Sequence, residues 1–227
     1  MNLKENLKTI QEKIIEAEVQ FKRPSNSVQL MAVSKTQTSD RIRELWQCGQ
    51  EIFGENYLQE ALPKITALQD TTIQWHFIGP VQKNKTRKIA EHFSWVHSVD
   101  NDIIAQRLND HRPASLPALN ICIQMNMNHE PTKSGILPSH LFPLIQKIGE
   151  LSRLILRGFM IIPEPLNDFT AQCKTFRSLH QLLNQANQEW KLSLDTLSMG
   201  MSNDYIAAIA EGSTIIRLGT ALFGSRL

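Results

Sequence analysis

The chain has little to brace it covalently and nothing that marks it for a membrane. Its three cysteines, Cys48, Cys122 and Cys173, are odd in number and widely spaced, with no Cys-x-x-Cys pair. That pattern excludes a disulfide framework and a cysteine-based metal or redox motif, and reduced thiols in a cytoplasmic protein are the simplest reading. No stretch approaches the roughly 18 to 20 apolar residues of a transmembrane helix. The N-terminal segment MNLKENLKTIQEKIIEAEVQ is charged throughout and lacks the apolar core of a secretory signal. An excess of one charge is missing too: the net charge is +2 and no Lys/Arg run stands out, so a nucleic-acid partner is not expected. Tyrosine is scarce, with only Tyr57 and Tyr205. His92 and His97 match no metal-ligand spacing, and His129, His140 and His180 read as surface residues, so no metal site is expected. There is no internal repeat, low-complexity tract or linker, which leaves one domain over residues 1–227.

What is present is an alternation. Eight short apolar stretches read VQLMAVSK (28–35), EIFGEN (51–56), IQWHFIG (73–79), WVHSVD (95–100), ALNICIQMN (118–126), LILRGFMII (154–162), LDTLSMGMS (194–202) and STIIRLGT (213–220). Helix-like segments separate them, as in parallel strands joined by crossover helices. Eight such units predict a closed (β/α)8 TIM barrel, and 227 residues suit a bare one. Active sites of such barrels lie at the C-terminal rim of the strands. The rim candidates are therefore Lys35, Asn56, His76, Asp100, Asn126, Ser198 to Ser202, and Arg217 to Thr220.

The connecting segments are legible in outline. Leu3, Leu7, Ile10, Ile14 and Ala17 fall at helical spacing over 3–20. Thr38, Ser39 or Asp40 can cap a second helix, with Gly49 placed as its C-terminal glycine. A third helix from about Tyr57 to Leu68 contains Pro63, so it is expected to kink or begin late. A basic helix is expected over 81–92, others over 101–109 and 138–150, the longest over 168–190, and a last crossover over 204–211. The chain ends seven residues after Thr220, so no appended domain is expected to lend residues to the barrel mouth.

Three constellations could carry chemistry. Lys35 ends a strand at the rim, where partial desolvation lowers an amine's pKa and favours Schiff-base formation. The loops Ser198-Met199-Gly200-Met201-Ser202 and Arg217-Leu218-Gly219-Thr220 follow strands 7 and 8, where barrels commonly bind phosphate. Glycine there permits close approach of backbone N–H groups, and a following helix start offers donors to an anion. Gly and Ser also simply make turns. The basic stretch Gln82-Lys83-Asn84-Lys85 could form an anion-attracting wall or a solvated face, and the same choice stands for Lys133-Ser134-Gly135. His76, within an otherwise apolar strand, is by itself more ordinary as a hydrogen-bonded interior residue than as a base.

Together these segments resemble the family of pyridoxal-phosphate homeostasis proteins, whose barrel is similar to the barrel domain of alanine racemases. The resemblance covers nearly the whole chain: AVSKT (32–36), FGENY with Gln59-Glu60, WHFIGPVQKNK (75–85), SVD (98–100), TKSG (132–135), RGFM (157–160), LSMGMSND (197–204) and RLGTALFG (217–224). It implies that Lys35 holds pyridoxal 5′-phosphate as a Schiff base and that Arg217 faces the pyridine nitrogen. It implies further that Ser202, Gly219 and Thr220 bind the phosphate, that Met199, Gly200 and Met201 shape the loop, and that Asn56 and His76 line the ring pocket. Ile206 departs from the family pattern, which usually has an acidic residue there.

The resemblance also implies intracellular storage and delivery of the cofactor without appreciable turnover, with apo forms of pyridoxal-phosphate enzymes as possible recipients. A monomer is expected, with Lys83 or Lys133 open as a second cofactor site. The rival is an amino-acid racemase, which needs acid/base groups on both faces of the substrate α-carbon. Lys35 could serve one face, while Tyr57 and Tyr205 are poorly placed for the other. A third reading, a cofactor-free barrel enzyme acting on a sugar phosphate, would call for paired carboxylates, and the rim stretches show none.

Overall fold

The computed structural model describes residues 2–127 and 134–224. Eight strands form a closed barrel in sequence order: β1 (Gln29–Val33), β2 (Ile52–Glu55), β3 (Gln74–Phe77), β4 (Trp95–Val99), β5 (Leu119–Gln124), β6 (Leu154–Met160), β7 (Thr196–Ser198) and β8 (Ile215–Leu218). Every pairing is parallel, and β8 closes on β1 through Gln29↔Ile215 to Ala32↔Leu218. Each of the eight apolar stretches contains one strand. The (β/α)8 barrel read from the sequence is the fold.

Alternation along β1 divides its side chains between two cores. Leu30 and Ala32 join the large cluster packed against the helices. Met31 and Val33 face the lumen, where they cluster with Ile78 and Ile215. A second lumenal group is Trp95, Cys122 and Met160. Burial pushes the Cys122 thiol well above its ordinary range, so it behaves as filler.

The helices are α1 (Leu3–Gln20), α2 (Ser39–Gln47), α3 (Leu58–Ala67), α4 (Thr86–His92), α5 (Asp102–His111), α6 (Leu141–Gly149), α7 (Phe169–Trp190), α8 (Tyr205–Ala210) and α9 (Thr220–Phe223). Local chemistry sets several starts. Thr38 caps α2 by accepting from Arg41 N at 3.4 Å, Asn101 caps α5 at 2.9 Å, and Asp168 caps α7 at 2.7 Å. The late start allowed for the third helix is not seen, and one expectation needs correction. Pro63 does not delay α3, which begins at Leu58; the carbonyl that the ring leaves unbonded belongs to exposed Gln59, near the helix start. The basic segment 81–92 is not one helix. A 3-10 turn at Lys83–Lys85 precedes α4, and the Thr86 hydroxyl donates to the Lys83 carbonyl at 3.0 Å. The short α9 lies beyond what periodicity revealed. Among the described residues no helix is long and apolar enough to cross a membrane.

Candidate functional site

Lys35 is the second residue after β1, and the backbone on either side of it is held. On one side, the buried Ser34 hydroxyl donates to Glu55 Oε1 at 2.7 Å, and Lys64 Nζ bridges the Ser34 carbonyl (2.9 Å) and Glu55 Oε1 (2.8 Å). On the other, Thr36 N–H donates to the Glu60 carboxylate at 3.1 Å. Glu55 is fully buried, and burial pushes its carboxyl up although Lys64 and Ser34 both pull it down. This brace fixes where the half-buried Lys35 side chain starts.

Across the mouth, Met201 N–H donates to Asp204 Oδ1 at 2.6 Å, which folds the loop after β7. Gly200 has φ +97°, and a Cβ there would stand 2.7 Å from that of Ala208, so the loop demands glycine. Below the mouth, Arg217 of β8 is 4% exposed. Its Nη1 donates to the Ser198 carbonyl and, at 2.9 Å, to Ser198 Oγ, while Nη2 donates to the Ile161 carbonyl at 2.7 Å. Burial lowers its pKa to about 10, with Asp204 raising it, so it stays a cation at neutral pH.

These parts meet in one cavity of about 300 Å³. Lys35, Asn56, Met201, Ser202, Arg217, Gly219 and Thr220 all line it, with Ile78, Ile162 and Phe223 among its apolar walls. Asn56 Oδ1 is buried without a partner among the described residues, an acceptor that a ligand hydroxyl or amine could satisfy. Gly79 keeps the Asn56 backbone in place, since a Cβ there would lie 2.0 Å from the Asn56 carbonyl oxygen. The chemistry gathered is one primary amine, one cation and hydroxyls on Ser202 and Thr220. Such a set fits a phosphorylated aldehyde.

Two of the loop-shaping residues do not line the cavity themselves, and His76 stands elsewhere. Met199 is fully buried in the outer core, and Gly200 packs behind the loop. His76 does not line the mouth cavity. It lies two residues before Ile78, which does, and so about 7 Å lower along the strand; it is 1% exposed and bonded to His97. Of the other rim candidates, Asp100 accepts from Asn101 and lines a separate hollow with His140 and Lys147. Lys83 does not line the mouth, and His129 and Lys133 fall outside the described residues. Sequence reading missed Glu55, Glu60, Lys64, His97 and Asp204. Glu55 and Glu60, inside the FGENY-x-QE segment, and Asp204, closing LSMGMSND, had a signal that could have drawn notice; Lys64 and His97 had none.

Two further cavities, of about 400 and 490 Å³, open at the N-terminal ends of the strands. Neither is lined by a lysine. The mouth cavity is the candidate site because of its chemistry, not its size.

Comparison with known proteins gives the family. Residues 2–227 match the family model of the alanine racemase N-terminal domain. The pyridoxal phosphate homeostasis protein of Pseudomonas aeruginosa is 52% identical over 98% of this chain and 95% of its own length. That of Vibrio cholerae is 47% identical over 99% of this chain and 97% of its own. Among solved structures, PipY of Synechococcus elongatus with pyridoxal phosphate bound superposes with a TM-score of 0.86 at 36% identity, covering 98% of this chain and all of PipY.

Proposed function

The chain belongs to the family of pyridoxal phosphate homeostasis proteins, and from that premise we propose that its barrel mouth holds pyridoxal 5′-phosphate reversibly and hands it on without turning substrates over. One observation carries the reading: Lys35, Arg217, Ser202, Gly219 and Thr220 line a single cavity. When bound, the cofactor supplies an aldehyde that condenses reversibly with an amine, and a conjugated ring that can withdraw electrons. Lys35 offers the amine, steadied by the brace on Ser34 and Thr36. Ser202 and Thr220 offer hydroxyl donors to a phosphate, with the Gly219 backbone allowing close approach. Arg217 is a fixed cation lining the same cavity, and it would face the ring nitrogen. A cation there disfavours protonation of that nitrogen and weakens the ring as an electron sink, which suits holding more than catalysis.

Racemisation needs a second acid/base group on the opposite face of a substrate. Tyr57 is 54% exposed and Tyr205 half-buried, and neither lines the mouth cavity. The delivery reading extends to donation of the cofactor to apo forms of enzymes that use it. Two measurements on the pure protein loaded with pyridoxal phosphate test it. A pyridoxal-phosphate apo-enzyme should regain activity when mixed with the loaded protein, and alanine in heavy water should not exchange its α-proton. Exchange at ~1 per second or faster, within the usual enzyme range, favours the racemase instead.

A further inference from the structure

Beneath Arg217, a row of polar side chains runs down the barrel lumen, a space that barrels ordinarily fill with branched aliphatic residues. Ser198 Oγ lies 2.9 Å from Arg217 Nη1 and 2.8 Å from His97 Nδ1. His97 Nε2 lies 2.9 Å from His76 Nδ1. His97 belongs to β4 and Ser198 to β7, strands that are not neighbours, so this contact can only cross the lumen. Ser198 and His97 are fully buried and His76 is 1% exposed. His76 Nε2 has no partner among the described residues, and the residue lines the lower polar cavity with Trp95, Asn120 and Arg157.

The chemistry of each group gives the row a direction. A guanidinium only donates, so Ser198 Oγ accepts from Arg217. The Ser198 proton is then free for the other nitrogen beside it, His97 Nδ1. His97 therefore carries its own proton on Nε2 and donates to His76 Nδ1, and His76 carries its proton on Nε2, facing the lower cavity. Reversing the row leaves two groups unsatisfied, the Ser198 proton and the His76 Nε2 lone pair, where the forward order leaves one. Each buried orphan is costly. Burial also keeps both imidazoles neutral, His76 with a pKa of about 3 and His97 well below its ordinary value, helped by Arg217.

We propose that His97 is a positioning residue for Arg217: through Ser198, and backed by His76, it locks the guanidinium in place beneath the mouth cavity. For its effect on cofactor affinity this rests on the function proposed above; for the tautomers of the row it does not.

Two arms test it separately. In ligand-free protein, 15N NMR of the histidine side chains should find His97 and His76 neutral, each with a bare Nδ1 and a protonated Nε2. A proton on His97 Nδ1 overturns the row whether or not the cofactor binds. In the second arm, pyridoxal phosphate is titrated into variants and the visible spectrum and dissociation constant are read. His97→Leu removes both ends of the link and should weaken binding about tenfold and shift the absorption band. His97→Gln, which keeps one acceptor and one donor, should stay within about threefold of the parent. Should His97→Leu fail to fold, Ser198→Ala breaks the same link with a smaller change and should give the same loss. Equal losses in the Gln and Leu variants, or no loss in either Leu or Ala, overturn the proposal. A parent protein that takes up no cofactor while the tautomers stand as stated defeats the function proposed above and not the row.

Discussion

Thr36 adopts φ +65° while its N–H donates to the Glu60 carboxylate at 3.1 Å. A β-branched residue in the left-handed region is strained, and such strain collects where surrounding structure imposes it at functional sites. Here the turn redirects the chain immediately after Lys35. Thr36→Asn, a residue that tolerates this conformation, should raise stability by about 1 kcal/mol, read as a higher denaturant midpoint at an unchanged slope. A lower midpoint contradicts the strain.

The brace behind Lys35 has its own signature. Lys64 and Glu55 form an ion pair at 2.8 Å with side-chain exposures of 9% and 0%. Removing one partner strands a buried charge, so Lys64→Ala should cost about 3 to 5 kcal/mol. Adding Glu55→Gln should recover part of that loss, because the stranded charge is gone. A double variant as unstable as the sum of the two single changes would show that the pair is not coupled.

Phosphate recognition is tested by comparing two ligands. Thr220→Val removes a hydroxyl at the mouth and should weaken pyridoxal phosphate by about tenfold or more, since a hydrogen bond to a charged group contributes roughly 1.5 to 3 kcal/mol. Unphosphorylated pyridoxal should be largely unaffected. An equal loss for both ligands would place the phosphate elsewhere.

The lumenal histidines make stability depend on acid. An unfolded histidine takes up a proton below about pH 6.5, while His76 in the fold resists until about pH 3 and His97 is likewise depressed. Their contribution is therefore fully present above pH 6.5 and is lost as pH falls through that window. For His76 the loss is on the order of 1.4 kcal/mol per pH unit, or about 2 kcal/mol at pH 5, and His97 adds a loss of the same sign. Denaturant midpoints at pH 7.5 and pH 5 for the parent and His97→Gln should differ in slope by about one histidine's share. An identical pH dependence would mean that His97 titrates normally in the fold.

The barrel was legible because parallel strands buried on both faces read as short apolar runs, and all eight runs hold a strand. Lys35, Asn56, Ser202, Arg217, Gly219 and Thr220 were legible because strand ends are where barrels place chemistry. His76 lines the lower cavity and not the mouth, since a run of letters does not say at which layer of the lumen a side chain ends. His97 was passed over because its partner Ser198 is 101 residues away, and only barrel closure brings β4 opposite β7. Glu60 and Lys64 act from the far side of a loop onto the backbone beside Lys35, and composition carries no trace of such contacts.

The most direct test of the site is chemical. Protein loaded with pyridoxal phosphate is reduced with borohydride, digested and mapped by peptide mass spectrometry, in the parent and in Lys35→Ala. The expected result is a pyridoxyl group on Lys35 in the parent and loss of that adduct, together with the visible band, in the variant. A pyridoxyl group carried chiefly by Lys83 or Lys133, or an unchanged band in Lys35→Ala, would contradict the mouth as the cofactor's seat.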